Sequence, residues 1–205
     1  MPRENDKKTV GNSSNSAYAT AADFRQIFTE DINSLHLLSL LLTGNPEKAE
    51  ECFVLGIGES TKGNYVFKEW ARSWARRTIV QSAIRLINPR ERSVRAIRSS
   101  DVAQAMDRIP LVLQAEVGAI LELAHLERFV FVMSVLEHFS DHDCSILLGC
   151  ARRDIIMIRA RAMQRLATLL GTKDNSRMDA EPETVIELVI AQHFAAAAWP
   201  RSLSQ

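Results

Sequence analysis

The chain has 205 residues with 25 Lys and Arg against 25 Asp and Glu, so its formal net charge is zero, and 46% of it is hydrophobic. That is enough apolar material for one or two small domains to bury a core without staples, and the neutral balance excludes a uniformly basic polymer binder. Three cysteines make no disulfide framework, no apolar run reaches membrane-spanning length and no charged-then-apolar leader opens the chain, so the expected compartment is the cytoplasm.

Residues 1–22 are rich in Ser, Asn, Lys and Thr without an apolar period, which predicts a disordered lead. A helix is expected from about Asp23, because Phe24, Ile27, Phe28, Ile32, Leu35, Leu38 and Leu42 recur at three and four and make one buried face. Thr43-Gly44-Asn45-Pro46 breaks it, and Pro46 suits the first position of a second helix whose positive end is favoured by Glu47, Glu50 and Glu51. Gly56 and Gly58 weaken the far end of that helix. After a turn at Lys62-Gly63-Asn64, Val66, Phe67, Trp70, Trp74, Thr78 and Ile79 lie at helical spacing, with Lys68, Arg72, Arg76 and Arg77 on neighbouring faces. The apolar signal thins from residue 89 to 110, where Pro89 and Pro110 bracket Ser and Arg, and this stretch is expected to be a linker.

A second apolar set, including Val117, Ile120, Leu121, Leu126, Phe129, Val130, Met133 and Leu136, forms the core of a second unit over residues 111–170. Within it Ser140 is a candidate N-cap with Asp141 and Asp143 in the first turn, Gly149 ends a short helix, and a longer helix starts at Arg152. Ile155, Ile158, Ala162, Leu166 and Leu169 make its apolar stripe. A short helix, a Gly-containing turn and a second, basic helix form the helix-turn-helix pattern. Residues 171–205 add a polar turn and a further helix opened by Pro182. The fold class is therefore all-α, two small helical domains joined by a linker, the second a helix-turn-helix domain.

Charge is segregated along this plan. Lys68 to Arg98 is basic, Asp101 to Asp143 is mainly acidic, and the last helix is basic again with Arg152, Arg153, Arg159, Arg161 and Arg165. Two basic helical faces fit two sets of phosphate contacts on one duplex, and equally fit ordinary solvated faces. A competing constellation is His138, His142, Cys144 and Cys150, but its spacing, H-x3-H-x-C-x5-C, matches no common structural zinc pattern, and no base and orienting partner are defined for a thiol nucleophile. No Gly-rich phosphate loop or paired-carboxylate site is present, so no cofactor, no metal and no covalent chemistry are expected.

The segment from Leu126 to Leu166 resembles the C-terminal promoter-binding domain of bacterial sigma factors of the extracytoplasmic-function type, through Leu126 to Leu136, Ser140, the Leu147-Leu148-Gly149-Cys150 turn and Arg161-Ala162 to Leu166. Leu35 to Phe53 and Val66 to Val80 resemble the same family's N-terminal helical domain. The resemblance implies a transcription initiation factor that holds core RNA polymerase and promoter DNA, double-stranded and partly melted, and it allows an anti-sigma partner. On that basis Glu47, Glu50, Glu51 and Phe53 would contact polymerase. Asn64, Lys68, Arg72, Arg76 and Arg77 would hold the opening minus-10 region. Arg152 and Arg153 would read minus-35 base edges, with Arg159, Arg161 and Arg165 on phosphate or in helix packing. The chain departs from the family at Val54, where Gln is usual, at Arg77 and Gln81, and at Ile156 and Met157, where polar or basic residues are common; the tail after residue 170 lies outside the resemblance. These departures define the alternative, a sigma-fold protein-interaction module without productive promoter recognition.

Overall fold

The first helix begins where Thr20 closes a capping box with Asp23, so that two donors at the helix start are satisfied by side chains. A computed structural model describes residues 17–62, 65–90, 109 and 111–171. Asn64, most of the expected linker, the first 16 residues and the tail with its expected helix lie outside them. The described chain is all-α: α1 (Ala21–Glu30), α2 (Ile32–Thr43), α3 (Pro46–Ser60), α4 (Ala71–Ile87), α5 (Gln114–Leu121), α6 (His125–Phe131), α7 (Asp141–Leu148) and α8 (Arg152–Gly171). A 3-10 turn precedes α4 and another precedes α5, and a π-helical turn, Val132–Leu136, continues α6. Among the described residues no helix is long and apolar enough to cross a membrane.

Two expectations need correction. The single helix expected from Asp23 to Leu42 is two helices, because Asp31 leaves the helical region (φ −101°, ψ 19°) and serves as C-cap of α1 and N-cap of α2. The break is held from outside by Arg72, whose guanidinium reaches the carboxylates of Glu30 and Asp31 together. The lead does not end at residue 22 either. Tyr18 forms an antiparallel bridge with Phe67, with Ala19 N donating to Val66 O at 2.7 Å and Lys68 N to Ala17 O at 3.0 Å. Val66 and Phe67 are thus extended, and the helix expected to include them starts later, through the 3-10 turn Lys68–Trp70.

Helices α1 to α4 bury Phe24, Phe28, Leu35, Leu38, Leu41, Cys52 and Ile79 in a common core. As expected, Pro46 stands in the first turn of α3, and Asn45 caps that helix by accepting from Lys48 N at 2.9 Å. Gly56 has a packing reason: a Cβ there would stand 2.4 Å from Ile79 Cδ1, so glycine lets α3 and α4 approach closely. Gly58 faces open space. Helices α5 to α8 pack around Phe129, Phe131, Met133, Ile155, Ala162 and Leu166.

The two helix groups meet along α2 against α5 and α6, and along α4 against α7. At that junction lies Arg128, 0% exposed, donating from Nη1 to Leu121 O and from Nη2 to Leu42 O, both at 3.3 Å. Burial pushes its pKa down to about 10, which leaves it a cation at neutral pH.

The two glycines of α3 give opposite outcomes on substitution. Gly58→Ala should stabilise the protein by ~0.5–1 kcal/mol through lost chain entropy, and Gly56→Ala should destabilise it by ~1–3 kcal/mol through overpacking against Ile79. Urea unfolding of the two variants measures both.

Candidate nucleic-acid interface

The basic residues of α4 are built into the fold to very different degrees. Arg72 clamps the α1–α2 break, and its two carboxylate partners, Asp31 first, hold its pKa above the usual guanidinium value. Arg76 donates from Nε and Nη2 to the two carboxylate oxygens of Glu137, each at 2.6 Å, and from Nη1 to Ser34 Oγ at 2.9 Å. Glu137 ends the π-helical turn and its side chain is only 3% exposed, so this is a largely dry bidentate pair between the two helix groups. Arg77 stands 3.6 Å from Asp143 at the start of α7 and lies over the Phe139 ring, 5.6 Å from its centroid. Lys68 is 3.9 Å from Asp23. The cations of α4 and of the 3-10 turn before it that were expected to grip DNA therefore have acidic partners within the chain; Lys68 and Arg72 remain about half exposed.

Between α4 and the approach to α7 opens a cleft of about 460 Å³, walled by Tyr65, Trp70, Trp74, Arg77, His138 and Phe139. Tyr65 and Trp70 of its wall belong to an aromatic cluster that continues outside the cleft. Tyr18 stacks on Phe67 (centroids 4.8 Å) and meets Tyr65 edge-on at 5.8 Å, and Phe67 meets Trp70 edge-on at 5.4 Å. Tyr65 is 88% exposed and Trp70 60%, whereas Trp74 packs against the core, so the tryptophan pair divides between surface and interior. Tyr18 and Tyr65 were not singled out by the sequence, and Phe67 only as part of an expected helical face; the alternation Tyr65-Val66-Phe67, which places both rings on one side of an extended segment, was the available signal.

In the second group, Ser140 caps α7 by accepting from Asp143 N at 3.1 Å, while its hydroxyl donates to the Asp143 carboxylate at 2.6 Å. That hydroxyl bond, before Arg77, holds the Asp143 carboxyl below the usual carboxylate range. Gly149 ends α7 with φ 61°, a left-handed conformation glycine adopts without strain, and α8 starts at Arg152, all at the expected positions. Arg152, Arg153 and Arg161 are exposed and have no acidic partner among the described residues. Arg159 pairs with Asp141 of α7, and Arg165 donates to the buried Glu127 of α6 at 2.8 Å, so these two take the helix-packing alternative. Beside Arg153 the same outer face of α8 carries Ile156 and Met157, the latter 54% exposed.

On α3, Glu47, Glu50, Glu51, Val54 and Leu55 are exposed, making an acidic and apolar face. Phe53 turns inward instead and packs edge-on against Phe28 (5.4 Å) and His36 (6.2 Å). His138, His142, Cys144 and Cys150 do not converge on a metal-sized site, and burial pushes the Cys144 thiol up to about 11, the wrong direction for a nucleophile. Comparison with protein-family models, with characterised proteins and with solved structures finds no match for this chain.

Ser140→Ala should cost ~1 kcal/mol of stability at neutral pH and raise the Asp143 pKa toward 3.8. The folded carboxyl titrates below its unfolded value, so its contribution is complete above about pH 3.8 and is lost as pH falls through the folded value. The gap between wild type and variant should therefore narrow in acid, as unfolding at neutral and low pH together with an NMR titration of Asp143 would show.

Proposed function

We propose that this chain is a sigma-like transcription initiation factor, in which α1 to α4 hold core RNA polymerase and the opening minus-10 region, and α7 and α8 form a helix-turn-helix that reads the minus-35 element. The observation that carries this reading is the pair Arg152 and Arg153, exposed and without an acidic partner in the first turn of the long helix that follows the Gly149 turn. In a helix-turn-helix the N-terminal residues of the second helix reach base edges in the major groove, and Arg is the residue that pairs two-pronged with guanine. Arg161, open on the same helix, suits a phosphate contact. The acidic face of α3 would meet polymerase through Glu47, Glu50 and Glu51, with Val54 at its centre. The aromatic cluster at the cleft, with Lys68 beside it, suits unpaired bases, since stacking on aromatic rings is sequence-tolerant and worth ~1–3 kcal/mol per base.

A second reading is favoured by Ile146, Ile156 and Met157, exposed on α7 and α8 where a DNA-reading surface is ordinarily polar. On that reading the chain keeps a sigma-type fold and binds proteins through this face. Run-off transcription with core polymerase and genomic fragments separates the two. The initiation reading expects polymerase to be retained by the protein and promoter-dependent transcripts to fall at least about tenfold in the Arg152→Ala/Arg153→Ala variant, from the loss of two base contacts. Polymerase that passes through unbound rules out initiation and leaves protein binding.

A further inference from the structure

The segment from Glu137 to Asp143 has an arrangement that helix packing alone does not require. In a short span it presents a carboxylate to Arg76, an aromatic ring to the underside of Arg77 and a second carboxylate to the edge of Arg77. It does so at the wall of the cleft whose other side is the aromatic surface of Tyr65 and Trp70. Negative groups spaced along a chain with a flat ring between them form the pattern of a single nucleic-acid strand, phosphate, base, phosphate. His138, between the first carboxylate and the ring, has φ 55°, a left-handed conformation rare for a residue with a side chain, so the backbone bends sharply as it passes the cleft.

We infer that residues 137–143 are an internal mimic of a nucleic-acid strand, seated on the α4 surface that takes single-stranded DNA when the protein works. This rests on the proposed nucleic-acid role of α4 and adds to it a self-masked state. Seating the mimic and binding a strand are mutually exclusive, so each weakens the other by the same factor. The device also accounts for the pairing of Arg76 and Arg77 with acids from the other helix group, while Arg152, Arg153 and Arg161 on α8 are left open. In the masked state the duplex-reading cations are available, while Arg76 and Arg77 are not. Duplex contact would come first, and strand capture would follow displacement of the mimic.

The test uses the full chain and a short oligothymidylate, which has no promoter sequence and little base pairing of its own. Glu137→Gln keeps the shape and removes the charge. It should bind the oligonucleotide roughly fivefold more tightly than wild type, with a salt dependence steeper by about 0.7 in log-log slope for each cation released. A merely structural role for Glu137 would not steepen that slope. Phe139→Ala should tighten binding without changing the slope. Should Glu137→Gln fail to fold, Asp143→Asn, on an exposed carboxylate, gives a smaller change in the same direction. In wild type carrying spin labels at the exposed positions Val54 and Ile146, in a Cys150→Ser background, the oligonucleotide should lengthen the distance between labels.

Variants that bind like wild type, with labels that do not move while the oligonucleotide is bound, overturn the mimic. So does an absence of oligonucleotide binding in wild type and every variant. If the variants tighten binding as expected but run-off transcription shows no promoter dependence, the mimic stands and the initiation reading falls, so the two failures are distinguishable.

Discussion

A buried cation sits where the two helix groups meet and ties the end of a helix from each to one guanidinium. Arg128 comes from α6, and its guanidinium reaches Leu42 O in the last turn of α2 and Leu121 O at the end of α5. Carbonyls in the last turn of a helix lack an intrahelical donor and carry the negative end of the helix dipole. Two such ends, one from each group, meet at one planar fork of donors. Lysine, a compact point charge, would not span both. Removing the cation from water is costly, and with no carboxylate beside it among the described residues the compensation comes from peptide dipoles. The Arg128 Nε has no partner among the described residues, where the site is held by the two terminal nitrogens.

With the groups fixed in this way, the other edge of the junction brings α4 against the start of α7, and similar residues acquire different roles. Arg72 secures the kink between α1 and α2, Arg76 is locked by Glu137, and Arg77 bridges Phe139 and Asp143. On α8, Arg159 and Arg165 staple the helix to α7 and α6, leaving Arg152, Arg153 and Arg161 to solvent. A count of basic residues along the chain therefore overstates the positive charge available to a partner. Position relative to acids elsewhere in the fold, on the same helix group or the other, determines which cations are open.

Local chemistry was legible in the sequence. Asn45 before Pro46, Ser140 before Asp141, and Gly149 before Arg152 set the start of α3, the start and end of α7 and the start of α8, because caps and left-handed turns depend on neighbouring residues. The break at Asp31 was not legible, since no Gly or Pro marks it and the apolar period runs on from Ile27 to Leu35; it is held by Arg72, more than 40 residues away. The π-helical turn at Val132–Leu136 hides in a continuous apolar run. The pairing of Arg76 with Glu137 spans 61 residues and leaves no local pattern, so Arg76 looked like an open cation. Phe53 matched an expected contact residue by position, but its ring belongs to the core around Phe28. Arg128 stood out only as one base in an acidic stretch, and nothing in its neighbours announces burial.

The most direct test of this account replaces Arg128 with Met, which keeps much of the volume and removes both hydrogen bonds. Unfolding in urea would be followed by Trp70 and Trp74 fluorescence for the first group, with Trp199 changed to Phe, and by a fluorophore on Cys150 for the second. Wild type should unfold with coincident transitions. Arg128→Met should lose ~2–4 kcal/mol, since two buried carbonyls are left without donors, and its two transitions should separate. A variant as stable as wild type, with transitions still coincident, would contradict the claim that this cation joins the two groups.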